Sequence, residues 1–176
     1  MGLLLGTRRS LLGADDSWTP ASPTSGGYSP EHWYRSDSGL WQDAGVTPAT
    51  ADGDVVGRWE DKTANADHVN QANAAKKPTL QSGAADRLNG HPVIRFDGID
   101  DLLVGAFTNG GAMAQPFTVF IVAQLDSSVV DDGVPAVLLD DSDPTNRVII
   151  YKYEAPNPDA WTVYAQSVLT GNDANS

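Results

Sequence analysis

The sequence predicts an all-β protein built as an antiparallel two-sheet sandwich, and three observations support this prediction. Short runs of β-branched and aromatic residues alternate with turn residues from residue 29 onward. The 17 glycines and 11 prolines of the 176-residue chain interrupt these runs every few residues. Asp accounts for 20 of the 23 acidic residues, and Asp favours turns and loops, whereas Glu favours helix interiors.

The strongest predicted strand is 117–125, because its near-continuous apolar run is typical of a central strand covered on both faces. The window 65–77 is rich in Ala and Asn, but it has too few large apolar residues for the buried face of a helix. No window keeps helical spacing over three turns, so we expect no long helix. The other predicted strands are 55–59, 92–96, 134–139, 147–153 and 161–169.

Residues 1–28 differ in composition from the predicted sandwich domain, residues 29–176. They begin with an apolar stretch and continue into a Ser-, Thr-, Pro- and Gly-rich linker. The apolar residues precede the basic ones, which is the reverse of a secretory signal, so we expect no signal peptide. Three interpretations of this arm stay open: a frayed terminus, a segment that docks on a partner subunit, or, as the least favoured, a targeting sequence.

The composition excludes several classes of function. The formal net charge of -12 argues against a nucleic-acid partner, because binding to phosphates requires clustered Lys and Arg. The absence of cysteine excludes disulfides, thiolate metal sites and a Cys nucleophile. No stretch approaches the roughly 20 apolar residues of a membrane-spanning helix, so no membrane span is expected.

Three blocks of sequence occur in a recognisable order. The block WEDKTANADHVNQ, residues 59–71, resembles the pattern W-x-D-x-S-G-N-x-N-x-x-x-Q. The block NGHPVIRFDGIDDL, residues 89–102, resembles N-G-x-P-x-V-R-F-D-G-x-D-D-Y-L, and PFTVFIVA, residues 116–123, resembles the long strand that follows it. In this order they resemble the bacterial and phage family of laminin-G-like, concanavalin A-like jelly rolls. The resemblance implies a jelly-roll sandwich whose structural motif residues are Trp59, Asp61, Phe96, Asp97, Gly98 and Asp101.

The sequence departs from this family at three places. Leu103 follows Leu102 where an aromatic residue is often found nearby. Thr63-Ala64 stands where Ser-Gly is usual. The family's closing strands, with their V-N-G hairpin, have no counterpart, and the last residues, 169–176, have the composition of a turn. We therefore expect the sandwich to be incomplete at the C-terminus, with its remaining strands supplied by residues beyond Ser176 or by another chain.

The motif residues also make physical sense on their own. Phe96 is expected to be buried on the sheet, while Asp97-Gly98 turns the chain, with Gly98 accepting a positive φ. The carboxylates of Asp97 and Asp100 are expected to accept backbone N–H bonds in that turn. Asp61 is expected to do the same for the loop at residues 62–68.

The candidates for chemistry are few, and no catalytic residue is predicted. No Gly-x-Ser-x-Gly elbow occurs, and no strand carries the alternating acids of a glycoside hydrolase. The three histidines have plain contexts without zinc spacing, so surface or capping roles are expected for His32, His68 and His91. Weak calcium candidates, for which turn capping is the favoured alternative, are Asp97, Asp100, Asp101, Asp140 and Asp143. No other cofactor is expected. A sugar platform would need an exposed aromatic ring from Trp33, Trp41, Trp59 or Trp161, each of which is more commonly a core residue.

The favoured functional hypothesis is a non-enzymatic structural and binding module of a phage virion, as a head decoration or tail accessory protein. It would dock on other virion subunits through residues 1–28, within a homo- or hetero-oligomeric assembly, and bind surface glycans. The alternative is a carbohydrate-binding module of a bacterial surface or secreted protein. A glycoside hydrolase of the same fold is the third hypothesis.

Overall fold

The computed structural model of the chain describes residues 30–106, 118–124, 136–140, 148–152 and 161–165. Within these ranges the secondary structure is almost entirely β, which confirms the all-β class. One 3-10 turn, Ala74–Lys76, is the helical content of the described residues. The strands, in chain order, are β1 (Leu40–Trp41), β2 (Arg58–Trp59), β3 (Val69–Asn70), β4 (Thr79–Gln81), β5 (Val93–Arg95), β6 (Ala136–Asp140), β7 (Val148–Lys152) and β8 (Trp161–Ala165).

The described strands form three small antiparallel sheets, ordered β1-β2-β3, β4-β5 and β6-β7-β8. Trp59 of β2 pairs with Leu40 on one side and with Val69 on the other. The register of β6 on β7 shifts between Val137 and Leu139, as at a β-bulge. The chain divides into two compact units, of which the first contains β1–β5 and the second contains β6–β8.

The core of the first unit is small because its strands are only two or three residues long. Its buried side chains are Leu40, Ala49, Val56 and Leu80, against which Trp59, Ile94 and Leu103 pack. Backbone bonds outside the strands extend the framework. The Val56 N–H donates to the Pro78 carbonyl oxygen at 2.7 Å, and the Leu80 N–H donates to the Asp54 carbonyl oxygen at 2.8 Å. Hydrogen bonds outside the strands therefore also hold this unit together.

Gly57 is required by a close approach of two backbone segments. Its N–H donates to the Trp41 carbonyl oxygen at 2.7 Å. A Cβ at position 57 would lie 2.5 Å from the carbonyl oxygen of Gln42, a distance that side chains do not adopt. Glycine, which has no Cβ, is the residue that allows β1 and β2 to approach here.

Several predicted strands are confirmed within the described residues. The predictions 134–139, 147–153 and 161–169 correspond to β6, β7 and β8. The prediction 92–96 corresponds to β5, and the prediction 55–59 is reduced to β2 and one isolated bridge of Val55 with Thr79.

Two predictions about the apolar segments are wrong. Phe96, expected in the core, is 44% exposed. Residues 118–124, expected to form most of a central strand, are exposed and adopt no strand, while positions 117 and 125 lie outside the described residues. An apolar run forms a strand only where a neighbouring strand takes its N–H and C=O groups, and among the described residues 118–124 have no such ladder.

Some sequence predictions fall outside the described residues, namely those on the arm, 1–28, and on Asp143. Among the described residues, no helix has the length and apolar character needed to cross a membrane.

Candidate functional site

The loop between β2 and β3 folds around the carboxylate of Asp61. Its Oδ1 accepts the backbone N–H groups of Trp33, at 2.9 Å, and Thr63, at 3.0 Å. Its Oδ2 accepts the Thr63 hydroxyl at 2.6 Å and the Asp67 N–H at 3.2 Å. Asp61 therefore has the loop-capping role expected from the sequence. It also holds the segment around Trp33 against the loop, which was not expected.

The hydrogen bonds to Asp61 keep its side chain ionised in spite of its burial. The residue is only 4% exposed, and burial alone would raise the pKa of its carboxyl group. The hydrogen bonds from Thr63, Trp33 and Asp67 outweigh this effect and hold the pKa of Asp61 below its ordinary value. A buried negative charge therefore lies at the centre of the loop.

Two further side chains fix the geometry of this loop. Nδ1 of His68 accepts the backbone N–H of Asp61 at 3.1 Å. The Tyr34 hydroxyl donates to the Asp67 carbonyl oxygen, and its ring packs on Trp59 with centroids 5.5 Å apart. Burial, together with the negative charges of Asp61 and Asp67, raises the pKa of Tyr34 well above its ordinary value.

His32 lies beside the two buried carboxylates of this loop. Its Nδ1 is 3.8 Å from Asp61 Oδ2 and 3.6 Å from Asp67 Oδ2. These three side chains each place one ligand-type atom within 4.8 Å of the others, and we call them the His32–Asp61–Asp67 cluster. The surface role expected for His32 is corrected, since its side chain is only 17% exposed. This cluster could hardly be predicted from the sequence, because it forms only when the segment around His32 lies against the loop.

The calcium candidates Asp97, Asp100 and Asp101 come together in an exposed turn of the second unit. Asp97 Oδ1 accepts the N–H groups of Ile99, Asp100 and Asp101, and Asp101 Oδ2 accepts the Asp97 N–H at 2.9 Å. Gly98 has the expected positive φ of 76°.

The backbone N–H groups that Asp97 accepts lower the pKa of its carboxyl group, and the N–H of Ile99 contributes most to this shift. Burial and the neighbouring charges of Asp97 and Asp100 raise the pKa of Asp101. Turn capping thus accounts for the role of Asp97, while Asp140 lies separately at the end of β6.

Other aspartates of the first unit also accept backbone N–H groups. Asp43 accepts three successive N–H groups and the Thr47 hydroxyl. Asp52 accepts the N–H groups of Ser82 and Gly83, and Asp54 accepts those of residues 50 and 51. Several of the aspartates in the described part of the chain therefore organise loops.

A cavity of about 370 Å³ opens in the first unit beside β1. Its lining residues include Trp41 with Leu40 and Leu80, and several residues that carry hydroxyl groups, among them Thr50. Arg87, also a lining residue, donates from Nε to the Ser82 carbonyl oxygen at 2.9 Å. The lining thus combines one aromatic residue with residues that carry hydrogen-bonding groups.

The remaining tryptophans have other surroundings. Trp59 packs against the core, and its Nε1 donates to the Arg35 carbonyl oxygen at 2.8 Å. The guanidinium of Arg35 lies 5.6 Å from the ring centre of Trp33. Trp161 begins β8.

Comparison of the chain with models of protein families, with curated proteins and with solved structures found no match.

Proposed function

We propose that the chain is a non-enzymatic structural and binding module with a jelly-roll sandwich fold. The observation that supports this proposal most directly is the use of its aspartates. Asp43, Asp52, Asp54, Asp61 and Asp97 all accept backbone N–H groups of nearby loops. Carboxylates used in this way hold a framework together.

The same bonds make four of these aspartates, Asp43, Asp52, Asp61 and Asp97, poor general acids. A glycoside hydrolase needs one carboxylic acid with a raised pKa and a second carboxylate facing it across the scissile bond. The pKa values of Asp43, Asp52, Asp61 and Asp97 are instead lowered, chiefly because each accepts hydrogen bonds. Asp101, whose pKa is raised, accepts the Asp97 N–H within its own turn. The hydrogen bonding of these aspartates therefore favours a structural role for them over a role in proton transfer.

The biological setting proposed for this module is a phage virion, as a head decoration or tail accessory protein. The support is the resemblance of residues 59–71, 89–102 and 116–123 to phage and bacterial laminin-G-like domains. Residues 1–28, with their apolar start and linker composition, would dock on neighbouring virion subunits. Mass spectrometry of purified particles tests this setting. We expect the chain at a fixed ratio to the major head or tail protein, and its absence from intact particles would contradict the proposal.

A second candidate function, carbohydrate binding, is favoured by the cavity beside Trp41. Its volume of about 370 Å³ suits one small ligand. The apolar face of a sugar ring packs on an indole, while the sugar hydroxyls need donors and acceptors such as Thr50 and Arg87. This combination is what a saccharide requires.

A glycan array with the full chain tests this second function. We expect binding that is lost in Trp41→Ala and kept in Trp33→Ala, because Trp33 lies outside the cavity wall. Thr50→Val removes one hydroxyl from an exposed loop position and provides a variant with little effect on folding. Failure of the unmodified chain to bind any glycan, or equal binding by all three variants, would argue against this cavity as a sugar site.

A further inference from the structure

Three potential metal ligands from two separate segments converge in the His32–Asp61–Asp67 cluster. The two distances from His32 Nδ1 to the carboxylate oxygens are 3.6 and 3.8 Å. A tetrahedral zinc site with bonds of about 2.0–2.1 Å places its ligand atoms about 3.4 Å apart. The two distances from His32 Nδ1 lie within a few tenths of an ångström of this value, and all three ligand-type atoms lie within 4.8 Å of one another.

The charges of this cluster favour a divalent cation. Asp61 and Asp67 are 4% and 7% exposed, and two buried carboxylates side by side attract positive charge even where hydrogen bonds stabilise one of them, as they do Asp61. A protonated His32 supplies one positive charge. A divalent cation bound by neutral His32 supplies two and so balances both carboxylates.

The ligand groups are held in place by the fold itself. Asp61 is oriented by its bonds from Trp33 and Thr63, and the backbone of Asp67 is held by the Tyr34 hydroxyl. Ligating carboxylates in metalloproteins are usually oriented in the same way by hydrogen bonds from surrounding groups. Part of the ordering that cation binding requires is therefore already present, in the side chain of Asp61 and the backbone of Asp67.

The ligand set determines the class of cation. A histidine nitrogen with carboxylate oxygens suits Zn²⁺ and its first-row neighbours, whereas Ca²⁺ is bound by oxygen ligands. The partial exposure of His32 leaves a path for the ion and for a water molecule as a fourth ligand. We propose that His32, Asp61 and Asp67 form a binding site for a divalent first-row transition cation. This proposal does not depend on the function proposed above.

The first test is a zinc titration of the untagged, chelator-treated full chain by calorimetry. We expect one Zn²⁺ per chain, with the affinity at least tenfold lower in His32→Gln and in Asp67→Asn. Asp61 is left unchanged, because it organises the loop. His91→Gln and Asp97→Asn are the matched controls, since neither residue belongs to the cluster, and both should bind zinc like the unmodified chain.

A second measurement avoids substitutions in the site. In a chain labelled with ¹⁵N-histidine, Zn²⁺ should shift the Nδ1 resonance of a histidine. The same resonance should be present in His91→Gln, which shows that it does not belong to His91. The proposal is overturned if the unmodified chain binds no zinc, if no histidine resonance moves, or if both cluster variants bind as tightly as the controls. Binding of Ca²⁺ as tight as that of Zn²⁺ would also overturn it, because the histidine would then have no role as a ligand.

Discussion

The backbone N–H of Trp33 donates to Oδ1 of Asp61 at 2.9 Å, and this bond joins two segments that are far apart in the sequence. The Lys62 N–H donates back to the Trp33 carbonyl oxygen at 2.8 Å. Tyr34 and Asp61 form an isolated antiparallel bridge at the same place. One carboxylate thus connects the start of the described chain to the loop between β2 and β3.

Replacement of Asp61 by Asn should lower the free energy of unfolding by about 2–4 kcal/mol. Four donors point at this carboxylate, and the NH₂ group of Asn would face some of them, which leaves buried N–H groups without acceptors. Urea unfolding measures the effect. The control is Asp37→Asn, which removes an exposed ion pair with Arg35 and should cost about 0–1 kcal/mol. Equal losses in the two variants would show that Asp61 has no special structural role.

Replacement of Gly57 by Ala should destabilise the first unit by about 1–3 kcal/mol. The added Cβ would meet the carbonyl oxygen of Gln42, and a backbone segment would have to move. Thermal unfolding measures the change. Gly83→Ala is a suitable control, because the nearest atom to its Cβ belongs to the side chain of Asp86, which can move. A Gly57→Ala protein as stable as this control would contradict the close approach of β1 and β2.

Truncation of Val56 to Ala should cost about 2–3 kcal/mol, because Val56 is fully buried and its neighbours cannot fill the space completely. Val46→Ala removes the same atoms from a side chain that is 82% exposed and should have almost no effect. Phe96→Ala, at a residue 44% exposed, should cost less than a core phenylalanine would. Chemical unfolding of the three variants gives the comparison. A decrease of about 3–5 kcal/mol in the free energy of unfolding of Phe96→Ala would show that Phe96 is a core residue.

Stability should fall as the pH is lowered below about 4, the ordinary range of Asp in an unfolded chain. The pKa of Asp43 is lowered by the hydroxyl and N–H of Thr47, and that of Asp52 is lowered by the N–H groups of Gly83 and Ser82. Their stabilising effect is complete above the unfolded-state pKa and is lost as the pH falls through the lower folded-state values. Urea midpoints between pH 6 and 2 measure this loss. Asp43→Asn should reduce the slope, and an unchanged slope would show that Asp43 does not contribute.

Local chemistry could be predicted from the sequence, whereas long-range contacts could not. The turn at Asp97-Gly98 was predicted well, because an Asx turn and a positive φ depend on neighbouring residues only. The strands β7 and β8 were predicted because their apolar and aromatic runs are bounded by turn residues. The cluster at His32 was missed, because nothing local to His32 indicates that the loop carrying Asp67 will lie against it.

The apolar segments show the other limit of sequence interpretation. Hydrophobicity reports what a residue gains on burial, but it does not report which surface provides that burial. Phe96 and residues 118–124 have the composition of core strands, yet they are exposed among the described residues. Predicting their environment would have required the pairing of strands, which depends on the whole fold.

The two-residue strands of β1–β3 have a consequence for how the first unit opens. In most β proteins, amide protons exchange slowest within the strands, and loops exchange first. Here the N–H groups of Trp33, Thr63 and Asp67 end on one buried carboxylate. Exchange at these loop amides should therefore be as slow as in the strands, and a protease should cut elsewhere before it reaches this loop.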